Sequence, residues 1–193
     1  MKIVLGLGNP GRRYAHTRHN VGFRVVETLA RRLGARFTGG LSGSSDVARA
    51  MAGGEEIVIA RPLTFMNASG AAAARLTALY GSAPQDLIVA YDDVALSLGS
   101  VRVRPGGRSA GQKGMQSIIQ ILGTDAIPRV RLGILGERKG EDLADYVLDP
   151  FRPEEEEAAS AMIERGADAA LAILEHGIPK AMSLFNRKDS VEA

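Results

Sequence analysis

The chain has 193 residues, 45% hydrophobic and 24% charged, which is enough for one buried core and too little for two ordinary domains with a linker. The absence of Cys excludes a disulfide framework, a thiolate nucleophile and a Cys-ligated zinc site, and no apolar run is long enough to read as a transmembrane helix. The formal net charge of +2 hides an asymmetry: residues 1–150 hold 19 basic and 13 acidic side chains, residues 151–193 hold 5 and 9, and the stretch 97–140 sets 8 basic residues against only Asp125 and Glu137. A local basic field suits a polyanion such as nucleic acid, although a mixed, solvated surface has the same composition.

In chain order, Ile3-Val4-Leu5 is a short apolar run ended by Gly and reads as a buried strand. The opening residues are broken too soon by Gly and Pro for a signal peptide, so a cytosolic location is expected. Val21, Val25, Leu29 and Leu33 recur at helical spacing, with Arg31 and Arg32 near the end and Gly34 after it. The Gly- and Ser-rich stretch 39–45 reads as a mobile loop. Val47 to Met51 is a candidate edge strand, and Ile57 to Ala60 a strand stopped by Pro62. Ala68 to Tyr80 is Ala-rich and helical up to Gly81. Leu87 to Tyr91 reads as a buried strand cut by Asp92-Asp93.

Val101-Arg102-Val103-Arg104 alternates apolar and basic residues, as a strand with one charged face does. A glycine-rich loop over 105–114 precedes a short helix, Met115 to Leu122, and Arg129 to Leu135 alternates again. Pro153 to His176 is a long amphipathic helix, with Pro in its first turn and the acids Glu154–Glu157 at its positive end. The polar residues from about 186 to 193 read as a disordered tail. Alternating strands and helices predict an α/β fold, and the charged face of the Val101–Arg104 strand makes the sheet mixed rather than all parallel. The whole of 1–193 is taken as one domain.

Four polar clusters stand near the predicted strand ends. Gly6-Leu7-Gly8-Asn9-Pro10-Gly11 matches G-x-G-x-x-G, but its last Gly leads into the polar run Arg12 to Asn20 rather than into a helix, and Pro10 keeps Asn9 out of helical geometry. A dinucleotide site is therefore disfavoured. What remains is an Asn on a stiff turn, either a carboxamide available for binding or a plain turn residue. In the second cluster, His16 and His19 lie three apart, but no Cys or Glu-x-x-His pattern accompanies them, so no metal is expected. His176 sits at a helix end, and His19 lies in a polar loop just before a helix, either as a structural His or as one of the few candidates for a general base near neutral pH. In the third, Asn67 is either a helix N-cap or a second carboxamide beside an exposed aromatic, and Phe65 and Met66 are either a hydrophobic staple or core. In the fourth, Tyr91-Asp92-Asp93, one acid could orient a His, or both could serve a turn.

Taken together, Gly6-x-Gly8-Asn9-Pro10-Gly11, Tyr14, Thr17-Arg18-His19-Asn20-x-Gly22, Thr64-Phe65-Met66-Asn67-x-Ser69-Gly70 and Tyr91-Asp92-Asp93 closely resemble the bacterial peptidyl-tRNA hydrolase family in order, spacing and residue type. The resemblance implies a monomeric cytoplasmic enzyme with a twisted mixed sheet flanked by helices and no cofactor. It would hydrolyse the ester between a peptide and the ribose of tRNA, which releases stalled chains and recycles tRNA. It implies His19 as the base that activates water, Asp92 as the acid that holds its imidazole, Asn67 on the peptide near the scissile carbonyl, and Asn9 near the blocked nitrogen. Tyr14 and Phe65 would line the groove for the terminal adenosine and the nascent peptide, and Arg102, Arg104 and Arg131 would grip acceptor-stem phosphates.

One segment departs from the family. Its loop usually ends Gly-His-Asn-Gly, whereas here Gly111-Gln112-Lys113-Gly114 puts Lys113, a donor only, where a peptide-binding amide is usual. Gln112 is the candidate to supply the missing acceptor. Tyr91 also stands where His is common, and Ala95 where an acid often follows the Asp pair. The competing readings are an inactive RNA-binding relative of the same fold and, on the glycines alone, a nucleotide-dependent oxidoreductase.

Overall fold

The structure is a computed structural model that describes residues 1–39, 43–137 and 142–186. The centre of the expected 39–45 loop and the tail beyond Asn186 lie outside these residues. Six strands form one sheet in the order β2-β3-β1-β4-β6-β5. The four inner strands, β1 (Lys2–Gly6), β3 (Glu55–Pro62), β4 (Leu87–Ser97) and β6 (Arg129–Leu135), run parallel. The two outer ones, β2 (Ser45–Ala52) and β5 (Val101–Arg104), are antiparallel to their neighbours, so the sheet is mixed as expected.

Parallel strands covered on both faces need apolar residues on both, and Ile3, Val4 and Leu5 are all fully buried. β5 instead buries Val101 and Val103 and turns Arg102 and Arg104 the other way. One face of the sheet packs on α1 (Val21–Arg32), α5 (Glu156–His176) and α6 (Ile178–Phe185), through Val25, Leu29, Ala167 and Ala170 among others. The other face packs on α2 (Ser69–Tyr80) and α3 (Lys113–Leu122), through Leu76, Met115 and Ile118. A short helix, α4 (Leu143–Leu148), stands between β6 and α5.

Three expectations need correcting. β4 is not cut at Asp92 but continues to Ser97, because backbone pairing with β6 carries on through Asp92↔Leu132 and Asp93↔Gly133 before the register becomes irregular. A ladder requires backbone donors and acceptors, not apolar side chains. α4 was not anticipated, since six residues are too few to show a helical period. α6 falls between the expected long helix and the expected tail, where the sequence reading assigns no element, although Pro179 sits in its first turn, where Pro is well tolerated.

Two glycines of the first cluster, Gly6 and Gly8, allow close packing. A Cβ on Gly6 would lie 2.2 Å from the carbonyl oxygen of Gly22, and one on Gly22 would lie 2.4 Å from the carbonyl of Ala90 and 2.5 Å from the nitrogen of Leu7. Only bare backbone lets the start of α1 press against the ends of β1 and β4, and that contact brings the turn preceding α1 to the sheet. Gly22→Ala is expected to lower unfolding free energy by about 1–3 kcal/mol or more through overpacking. Denaturant unfolding checks this, and wild-type stability would show that the contact can relax.

Candidate active site

The residues before α1 form a tight turn, Arg18–Asn20, in which all three side chains are buried. It aims His19 at β4, where Nδ1 lies 2.7 Å from Oδ2 of Asp92. The other oxygen of Asp92, Oδ1, accepts from Nε2 of Gln112 at 2.9 Å. With the carboxylate as acceptor, Nδ1 carries the imidazole proton and Nε2 keeps its lone pair, the tautomer a general base requires. His19 is 8% exposed and lies in the wall of an open cavity of about 490 Å³, so the ring is neither sealed in nor free to swing.

Two carboxamides share that wall. Asn9 follows β1, and its backbone is held at both ends by the Asn20 side chain: its N–H donates to Oδ1 of Asn20 at 2.8 Å, and its carbonyl accepts from Nδ2 at 2.9 Å. Asn9 Oδ1 accepts from the backbone N–H of Met66 at 2.8 Å, which turns its Nδ2 donors away from that bond. Asn67 is exposed in the turn Met66–Ala68, and neither that turn nor α2 has a side-chain cap, so the N-cap alternative does not hold. Asn9 and Asn67 thus stand with His19 and Asp92 in one cavity, at the C-terminal side of the parallel strands where α/β sheets place their sites.

The remaining expected residues divide. Lys113 and Gln112 line the cavity, but both polar ends of Gln112 are engaged inside the protein, because Oε1 also accepts from the N–H of Met115 at 2.7 Å. Its oxygen thus already serves one donor and keeps a single lone pair for any further contact. Tyr14 and Phe65 stack edge to face with centroids 6.3 Å apart, outside the cavity wall, and Phe65 is half exposed. Arg131 donates to Asp93 at 2.6 Å, Arg102 to the backbone carbonyl of Asn186, and Arg104 is exposed. His16 is also exposed, and no group of three potential metal ligands occurs among the described residues. Burial pushes the Tyr91 phenol above its usual range, against the pull of Arg129 and Arg131.

Sequence reasoning passed over the part played by Asn20 and the apolar flank that α4 gives the cavity through Leu143, Val147 and Leu148. Asp142 followed by Leu143 and Val147, a capping residue before an i, i+4 apolar pair, was the available signal, and Asp142 does accept from the N–H of Ala144 at 3.0 Å.

Fold and site together define an α/β protein equipped for general-base chemistry, with carboxamides rather than a phosphate cradle beside the base. Comparison with known proteins narrows this. A family profile for peptidyl-tRNA hydrolase matches residues 3–192. The peptidyl-tRNA hydrolase of Aquifex aeolicus is 44% identical over 193 residues, with 99% of each chain covered. That of Elusimicrobium minutum is 40% identical over 187 residues, covering 97% of this chain and all of that one. The crystal structure of peptidyl-tRNA hydrolase from Acinetobacter baumannii superposes with a TM-score of 0.89 at 28% identity, over 96% of this chain and 94% of that chain. The chain belongs to the peptidyl-tRNA hydrolase family.

The turn that carries His19 is pinned by its first residue. Arg18 Nη2 donates to Glu155 Oε2 at 2.6 Å and Nη1 to the carbonyl of Pro150 at 2.7 Å, and the guanidinium lies 4.3 Å from the Tyr146 ring centre. With side chains only 3% and 9% exposed, the pair stands largely out of water. It joins the turn that carries His19 to the segment between α4 and α5. Glu155→Ala strands a buried cation and is expected to lower stability by about 3–5 kcal/mol. Chemical denaturation measures this, and a loss below about 1 kcal/mol, the usual worth of a surface pair, would show that water reaches Arg18.

Proposed function

We propose that this chain hydrolyses the ester of peptidyl-tRNA with His19 as the general base. The activity itself, cleavage of the bond between peptide and tRNA, is that of the family to which the chain belongs. The mechanism rests on one observation above others, the 2.7 Å contact between Nδ1 of His19 and Asp92 in the wall of the open cavity. Nε2 takes a proton from water as the water oxygen attacks the ester carbonyl carbon. The tetrahedral intermediate collapses with the ribose oxygen leaving, and the imidazolium returns the proton to that oxygen. Asp92 stabilises the imidazolium and keeps the ring in its working tautomer.

Around this step, Asn67 holds the peptide near the scissile carbonyl, and Asn9, its oxygen occupied by Met66, offers its amide hydrogens near the blocked peptide nitrogen. Lys113 reaches the peptide as a donor. Tyr14 and Phe65 form an aromatic ledge for the terminal adenosine and the peptide. Arg104 contacts acceptor-stem phosphates directly, Arg131 does so while anchored by Asp93, and Arg102 supports them from the same strand face. The enzyme works as a monomer, without metal or cofactor, in the cytoplasm. No helix among the described residues is long and apolar enough to cross a membrane.

Release of the acyl amino acid from N-acetylaminoacyl-tRNA tests the base. His19→Ala is expected to lower kcat by about 10²–10⁴-fold while tRNA binding survives. Turnover close to wild type would overturn the mechanism. For the basic face, Arg104→Ala is expected to weaken tRNA binding and flatten the log–log salt dependence by about 0.7–0.9, the value for one phosphate contact. An unchanged slope would remove Arg104 from the RNA interface.

A further inference from the structure

We propose that Gln112 is a positioning residue for the hydrolytic step: it locks the Asp92 carboxylate in the one plane from which that group can hold His19. The inference rests on the reading of His19 as base. The direction of the Gln112 carboxamide follows from its partners. Only an acceptor can receive the N–H of Met115, so Oε1 faces the start of α3 at 2.7 Å, and Nε2 must face Oδ1 of Asp92 at 2.9 Å. One amide thus caps a helix with its oxygen and grips the catalytic acid with its nitrogen.

The grip matters because of where Asp92 is. Its side chain is 2% exposed, so water does not satisfy the oxygen turned away from His19. With donors on both oxygens, rotation of the carboxylate would break two charge-assisted hydrogen bonds at once. With His19 alone the group could turn about its last bond and carry the imidazole with it. The anchor is rigid, since α3 runs for ten residues from Lys113. Packing holds the amide too: its Nε2 lies 3.3 Å from the Met66 sulfur, and a Cβ on the adjoining Gly114 would meet that sulfur at 2.4 Å and Gln112 Oε1 at 3.2 Å. The other titratable groups in the cavity wall are Asp93, tied to Arg131, together with Lys113 and Asp142, and none of them is hydrogen-bonded to Asp92 among the described residues.

Two variants of the full chain separate capping from positioning. Gln112→Ser keeps a good helix cap but is too short to reach Asp92. Gln112→Glu keeps length and capping oxygen but sets a carboxylate against Asp92. In the N-acetylaminoacyl-tRNA assay, Gln112→Ser is expected to lower kcat about tenfold or more, as loss of one hydrogen bond to a charged group implies, with KM nearly unchanged. Gln112→Glu is expected to lower kcat further. It should also move the acid limb of kcat/KM to higher pH, because added negative charge favours the protonated imidazole.

Near wild-type kcat in both variants would overturn the proposal. So would a rise in KM at constant kcat, which marks a substrate contact, or a fall in kcat matched by loss of folded protein in thermal melts. If Gln112→Ser does not fold, the kcat and pH limb of Gln112→Glu decide. His19→Ala in the same assay keeps the two readings apart. An active His19→Ala enzyme removes the base itself, whereas an inactive one beside indifferent Gln112 variants removes only the positioning role.

Discussion

A carboxylate buried in a sheet strand must find a donor for each oxygen or forfeit several kcal/mol of hydration, and at Asp92 the donors are His19 and Gln112. That requirement organises the whole site. Asn20, next to His19, clasps the backbone of Asn9; Asn9 accepts from Met66; the Met66 sulfur touches the amide of Gln112; and Gln112 returns to Asp92. The circuit closes through five separate parts of the chain, each near the end of a strand or the start of a helix. None of the five is positioned by its own loop alone, and each restrains the next.

Much of this was legible because the proposed chemistry calls on rare residue types. With three His and no Cys in the chain, a base near neutral pH had few candidates, and the strand runs before Asn9 and Asp92 marked where the sheet would deliver them. What escaped notice depends on partners far away in sequence. Glu155 looks like one more acid at a helix start, yet it is buried against Arg18, 137 residues earlier. Gln112 reads as a polar loop residue until the fold sets it between Asp92 and Met115. The extent of β4 escaped for a different reason: two acids suggest a turn, whereas a strand continues as long as its neighbour offers backbone partners.

The basic character of the β5–β6 face shows how little charge counting says about availability. Arg129 is 1% exposed and spends its donors on the carbonyls of Ile127, Arg108 and Asp125, so it secures the base of the glycine-rich loop. Arg131 is tethered by Asp93, and Arg104 alone among the four arginines of β5 and β6 is exposed. The same alternation therefore supplies both a strut of the loop that carries Gln112, Arg129, and an outward-facing cation, Arg104.

Asn186 carries a consequence of another kind. Its side-chain amide donates to the carbonyl of Val103 and accepts from the N–H of Val103, both within 2.9 Å, as a neighbouring peptide unit would. β5 is the outermost strand on its side, and this one carboxamide occupies hydrogen-bonding positions that a foreign strand would otherwise seek. The end of α6 thus acts as a stopper on this part of the edge, and a variant lacking the carboxamide would leave the N–H and C=O of Val103 in need of other partners.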